Sequence, residues 1–240
     1  MEKRNPWAWI PSLYFAEGLP YVVVMTLSVI MYKRLGVSNT DIALFTSWLY
    51  FPWVIKPIWS PFVDLIKTKR WWIYSMQLLI GGGMAGVAFV LPGDFFLRFT
   101  LAFFWLMAFS SATHDIAADG FYMLGLTEEQ QAFFIGIRNT FYRVAMLTGQ
   151  GLLVMLAGLL EESTGRISFA WSLVFFVLAG TFIALALWHK YILPRPASDA
   201  QRTNITPHTI LVEFGNTFVS FFSKKGIIPA LLFMLTYRLR

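Results

Sequence analysis

Six stretches of mainly apolar residues, each about 20 residues or longer, set the class of structure this chain can adopt. They fall near Trp7–Met31, Asp41–Val63, Trp71–Leu91, Phe95–Ala118, Gln131–Leu160 and Phe169–Ile192. Lipid offers no hydrogen bonds, so a spanning run must satisfy its own backbone and folds as a helix. Composition points the same way: 57% of residues are hydrophobic and 13% charged, where a soluble domain carries roughly a quarter charged residues. The expectation is an all-α membrane protein. A seventh apolar segment begins at Gly226, and the chain ends at Arg240 after about fifteen residues, too few to span. That ending reads as a fragment of a longer protein.

Several classes fall away. There is no cysteine, hence no disulfide framework and no thiolate metal site. Three histidines, His114, His189 and His208, form no visible metal cluster, and the last two fall in the region of the linker after segment six. No metal or cofactor is expected. An intramembrane aspartyl enzyme needs one Asp on each of two helices, whereas Asp115 and Asp119 share one. The net charge of +6 resides mostly in short loops rather than on a soluble basic face, so nucleic acid is not an expected partner. No cleavable signal peptide is evident.

Lys and Arg set the orientation. With the N-terminus inside, the inner loops carry Lys3, Arg4, Lys67, Lys69, Arg70, Lys190, Arg195, Arg202, Lys224 and Lys225. The outer loops carry Lys33, Arg34, Arg98 and Arg166. That asymmetry predicts a cytoplasmic N-terminus. Residues 1–192 form the six-helix bundle and 193–225 a cytoplasmic linker, with 226–240 opening a further bundle. Within the linker, Thr206-Pro207 reads as a helix start, and Ile210, Phe214, Phe218 and Phe222 recur as the apolar stripe of a surface helix.

Charge inside the apolar segments is the functional signal, because an ionised group there must be paired or face water. Glu17 sits mid-segment in Glu17-Gly18-Leu19-Pro20, where Pro20 removes a helix hydrogen bond and Gly18 loosens the turn. The bland alternative is a plain kinked helix. Lys56 lies among Pro52, Pro57 and Pro61; it either snorkels to the interface or pairs with Glu17, which rise arithmetic places at similar depth. Asp115 and Asp119, four apart in ATHDIAADGFY, share one helix face, with His114 beside it. Segment five offers Arg138 and Tyr142 on one face, and Asn139 and Arg143 on another. One arginine is expected to pair with Asp115 or Asp119 and the other, Arg143, to face a cavity. The alternative makes both structural. Thr127 and Gln130 spell a capping box at the start of that segment. Gly81, Gly82, Gly83 and Gly86 offer a small-residue face for close packing.

Three stretches resemble a known family: YFAEGLP (Tyr14–Pro20), KPIWSPFVDLIKTKRWW (Lys56–Trp72) and HDIAADGFY (His114–Tyr122), the last followed by Tyr142-Arg143. They are similar to the AmpG-like muropeptide permeases of the major facilitator superfamily, in the peptide/acetyl-coenzyme A/drug transporter group. The sequence departs from that pattern with His at 114, where Gln is frequent, and Gly at 120, where Ala is common. Ser60 and Leu65 depart from the general facilitator loop motif. The resemblance implies the N-terminal half of a facilitator fold: six spanning helices, an interfacial helix and the start of a seventh. It also implies a proton-driven importer of anhydro-muropeptides in the bacterial inner membrane, whose second six-helix half lies outside this chain. Its partners are then a small-molecule substrate, protons and the lipid bilayer. Glu17, Asp115 and Asp119 are the proton-coupling candidates, since a carboxylate in a partly dry cavity can hold and release a proton. Arg143, Arg138, Tyr142, Asn139 and Lys56 are the candidates for substrate, and Asp64, Lys69 and Arg70 form a gating loop. Trp48, Trp53 and Tyr142 are available to stack on a sugar face. The alternatives are a facilitator for another cargo (acetyl-coenzyme A, a drug or a peptide) and a non-transporting membrane sensor or assembly protein.

The charge asymmetry yields a direct check. A cysteine replacing Ser198 should resist membrane-impermeant thiol reagents in intact cells and react once the membrane is opened. Ready labelling from outside would reverse the orientation.

Overall fold

The computed structural model describes residues 4–199 and 207–238, and no strand occurs among them. Thr206, expected to start the surface helix, lies outside the described residues. Eight helices follow one another among the described residues, with a short 3-10 turn at Ala197–Asp199 between the sixth and seventh. α1 is Pro6–Arg34, and α2 runs from Asn39–Thr46 through a 3-10 turn, Ser47–Tyr50, into Phe51–Ile66. α3 is Lys69–Val90, α4 Phe96–Gly125, α5 Glu128–Thr164 and α6 Ile167–Ile192. α7, Pro207–Phe222, and α8, Ile227–Arg238, lie beyond the linker.

Five of these, α1 and α3 to α6, are long and apolar enough to cross a bilayer. α2 was expected as a sixth and falls outside that group. Its tryptophans, tyrosine, prolines and Lys56 dilute its apolarity, and the 3-10 turn divides it. α2 nevertheless packs within the bundle along α4. The helices also overrun their expected ends: α1 starts a residue earlier and continues to Arg34, and α5 spans Glu128–Thr164. Thr127 caps α5 through the expected box, its hydroxyl accepting from Gln130 N–H while the Gln130 side chain accepts from Thr127 N–H.

Pro20 does not open α1. The helix passes through it, and the irregularity comes one turn later as a π-helical turn at Val23–Leu27. A matching π turn interrupts α5 at Thr148–Leu152. Between and beside these turns the two helices touch closely. A Cβ on Gly18 would lie 2.9 Å from the Tyr142 carbonyl oxygen and 3.1 Å from the Ala145 Cβ, and one on Gly149 would lie 2.3 Å from Val22 Cγ1. Gly18 therefore serves contact with α5 rather than looseness.

α3 is the axis of the opposite side. Gly81 seats Phe182 of α6, while Gly83 and Gly86 seat Met107 and Phe103 of α4. Gly82 faces open space, so three of the four glycines form the packing face. Tyr32, Phe104, Phe175, Phe182 and Trp171 fill the core on this side. A second apolar cluster, with Trp9, Leu13, Ile73, Phe121 and Leu193, closes the end of the bundle where the basic residues gather.

The α1–α5 contact is tight enough to test. Gly149→Ala should destabilise the detergent-solubilised protein by about 1–3 kcal/mol through overpacking against Val22. Thermal unfolding should show Val22→Ala restoring most of the loss. Gly18→Ala should not be rescued this way, because backbone rather than a side chain blocks it.

Candidate functional site

α1 and α4 run antiparallel, and their contacts assemble the charged cluster turn by turn. Nearest the basic end, Tyr14 and Tyr122 meet edge to face with ring centroids 5.9 Å apart. Tyr14 Oη donates to Asp119 Oδ1 at 3.4 Å, and Arg138 Nη2 from α5 reaches the same oxygen at 2.7 Å. The Arg138 guanidinium also lies over both rings, 4.4 Å from the Tyr14 centroid and 5.1 Å from that of Tyr122. A carboxylate and two aromatic faces thus hold it in place.

One turn along α4, Asp115 takes its cation from α2, with Lys56 Nζ 3.7 Å from Asp115 Oδ2. The Trp53 side chain flanks the same carboxylate. Of the two alternatives for Lys56, snorkelling or pairing with Glu17, the pairing with Glu17 is not made. Asp115 is opposite Lys56 on the neighbouring helix and captures it. Glu17 is left 8% exposed, and its Oε2 is buried without a hydrogen-bond partner among the described residues. Tyr21, Trp53 and Tyr50 form an aromatic group beside it, with Tyr21 5.2 Å from Trp53 and 6.4 Å from Tyr50 between centroids. Tyr142 is half-buried and close enough to Glu17 and Asp115 to interact electrostatically. Asn139 and Arg143 are exposed on α5. Trp48 is also exposed.

A cavity of about 650 Å³ opens beside this cluster, lined by Lys56, Asp64, Lys69, Asp119 and the two rings Phe221 and Phe222 of α7. Phe214 of α7 packs on Phe62 of α2, centroids 5.6 Å apart. At its floor Lys69, almost fully buried, forms an ion pair with Asp64.

The loop between α2 and α3 is tied to the linker. Asp199 accepts from the backbone N–H groups of Lys69 at 2.7 Å and Arg70 at 3.1 Å, which caps the first turn of α3 together with Thr68. Burial pushes the Asp199 carboxyl above its ordinary range, and these two donors pull the other way. The Arg70 guanidinium donates to the Lys190 carbonyl, and Ser198 Oγ to the Leu124 carbonyl at 3.4 Å. At the opposite end of the bundle, Glu161 accepts from Arg34 Nε at 2.9 Å and Trp171 Nε1 at 2.7 Å. That joins α1, α5 and α6.

His189 corrects an expectation. It belongs to the last turn of α6 rather than to the linker, and it is fully buried. His189 Nδ1 lies 2.9 Å from Gln77 Oε1, Gln77 Nε2 2.9 Å from His114 Nε2, and Ser12 Oγ 2.9 Å from His189 Nε2. An unbroken polar chain therefore crosses α1, α6, α3 and α4. If the Gln77 amide donates to His114, His114 keeps its proton on Nδ1, a buried atom with no partner among the described residues. His114 consequently points toward α3 and α6, away from the Asp115–Asp119 face. Nothing in the sequence around Gln77 marked it, and Asp199 read as an ordinary linker residue.

The helices and the cluster define an all-α, multi-pass membrane protein that keeps ionisable groups at the wall of an open cavity. The chain belongs to the BT1 family, a peptide/acetyl-coenzyme A transporter family of the major facilitator superfamily, whose profile matches residues 16–215. It is 31% identical to the anhydromuropeptide permease of Escherichia coli K12 over 152 residues, 60% of this chain and 30% of that protein. It is 28% identical to an uncharacterised protein of Schizosaccharomyces pombe over 142 residues, 55% of this chain and 27% of the relative. A Haemophilus influenzae protein is 26% identical over 245 residues, 92% of this chain and 50% of the relative. The chain thus spans half or less of the length of these relatives.

The Arg138–Asp119 pair is half exposed, so its loss should be moderate. Arg138→Ala and Asp119→Ala should each cost about 1–2 kcal/mol in thermal unfolding, counting the cation–π contacts for the arginine. The double variant should cost clearly less than their sum. Simple additivity would show that the two do not act together.

Proposed function

We propose that the full-length protein is a proton-coupled secondary transporter that imports anhydro-muropeptides across the bacterial inner membrane, with its N-terminus in the cytoplasm. The observation that carries this reading is the contrast among three acids on one wall. Asp115 and Asp119 each face a cation from another helix, while Glu17, buried beside them, forms no ion pair among the described residues; one oxygen of Glu17 and one of Asp115 lack a hydrogen-bond partner there. An ionised carboxylate without a donor costs several kcal/mol in such surroundings, so its charge follows the access of water. That is the property a proton carrier needs, because alternating access wets and dries the site in turn.

The other groups take roles around it. Arg138 holds Asp119 and the two tyrosines, and so keeps the wall in shape. Lys56 and Asp115 exchange partners as Glu17 gains or loses its charge. Arg143 and Asn139, exposed on α5, face the second six-helix half and bind cargo between the halves, where a guanidinium matches a carboxylate. Trp53 and Tyr142 offer ring faces to the sugar. The ties of Asp64, Lys69 and Arg70 close the cytoplasmic side. The similarity to the anhydromuropeptide permease supports the cargo class.

Glu17→Gln keeps size and polarity while fixing the group as neutral. In vesicles carrying the full-length protein it should abolish accumulation driven by a pH gradient, yet spare exchange of labelled anhydro-muropeptide down its own gradient. Survival of gradient-driven accumulation in Glu17→Gln, with its loss in Asp119→Asn, would move the coupling site to α4.

A further inference from the structure

We infer that Lys69 is a cargo-binding group as well as a gate: its ammonium, admitted to the cavity by Gly120, receives a carboxylate or other anionic group of the ligand in exchange for Asp64. The cargo arm of this inference rests on the transport reading above.

Lys69 starts in the first turn of α3, but its side chain runs across to α4. A Cβ at position 120 would lie 2.8 Å from Lys69 Cε, 3.2 Å from Nζ and 3.3 Å from Cδ. The lysine thus occupies the space that any other residue at 120 would fill. Through that gap Lys69 reaches the cavity wall, next to Asp119 and Asp64.

The three ion pairs around the cavity differ in which partner is covered. In Lys56–Asp115 the cation is the more exposed partner, with side chains 35% and 13% exposed. Arg138 is gripped by two rings in addition to its carboxylate. Lys69 is the reverse of Lys56: its side chain is 9% exposed and that of Asp64 54%. An ammonium has three donors, and among the described residues the side chain of Asp64 is the one acceptor bonded to it. Asp64 can swing into water at small cost, since exposed ion pairs are worth little. The ammonium is less free to follow, because its stem is packed over Gly120. The vacated position asks for an anion.

This arrangement also links cargo to gating. An anionic group that takes Lys69 releases Asp64 at the end of α2, the helix that carries Lys56. Occupancy of the cavity then loosens the tie between α2 and α3.

The test compares Lys69→Gln and Gly120→Ala with the wild-type full-length protein. The alanine variant displaces the far end of a flexible side chain, so it folds. In vesicles, uptake is measured for an anhydro-muramyl peptide and for the same peptide with its carboxyls amidated. Both variants should raise KM for the acid by about tenfold, the value of a charge-assisted hydrogen bond, relative to KM for the amide, and any change of kcat through the gate should be shared by acid and amide. Equal shifts for acid and amide, or no shift, would overturn the inference and leave Lys69 a structural or gating residue. If the wild type takes up neither peptide, the cargo reading fails and a binding measurement decides. N-acetylmuramic acid should then raise the Tm of the purified wild type, but not of either variant. A rise shared by all three proteins, or none in the wild type, would overturn it.

Discussion

A charge placed among apolar helices persists only if another group or water meets it, and this constraint orders the whole bundle. α4 carries two carboxylates on one face, and each fixes a neighbour: Asp119 draws Arg138 of α5, and Asp115 draws Lys56 of α2. α1 supplies Tyr14 to the first of these and leaves Glu17 beside the second. Such pairs form only if the backbones come close. Gly18 and Gly149 permit that for α1 and α5, where a methyl group on either would strike the other helix. The small residues and the charged ones are therefore parts of one arrangement.

The opposite side of the bundle solves the same problem without net charge. Ser12, His189, Gln77 and His114 bond in sequence through 2.9 Å contacts, which bury the last three and half-bury Ser12 among α1, α3, α4 and α6. Hydrogen-bonded polar side chains can be satisfied inside a helix bundle at far lower cost than unpaired ions. This chain ties one side together through neutral or singly shared hydrogen bonds, while the other side is held by ion pairs.

How much of this was legible depended on the range of the interaction. Apolar runs are local, so the helices and their order were readable, as were the Thr127–Gln130 box and the glycine face of α3. The i, i+4 spacing showed that Asp115 and Asp119 share a face, and a pairing of one of them with Arg138 followed. Which cation meets which acid depends on helix rotation and depth, which spacing along one strand of sequence does not supply; for Lys56 the sequence leaves snorkelling or Glu17 open, and the residue meets Asp115. Pro20 suggested a break that the packing of α1 on α5 overrides, and the slip moved to Val23–Leu27. His189, Gln77 and Asp199 carry no local signature at all. Their partners lie 112 and 130 residues away in the chain, so their roles exist only in the fold.

A protonatable acid that couples cargo to protons within this bundle, as proposed above, ties cargo movement to proton movement. The most direct measurement records cargo entry and internal pH together, in vesicles carrying the full-length protein with the membrane potential clamped at zero. An inward gradient of anhydro-muropeptide alone should acidify the vesicle interior, in proportion to the cargo that enters. Cargo entry at an unchanged internal pH would contradict it.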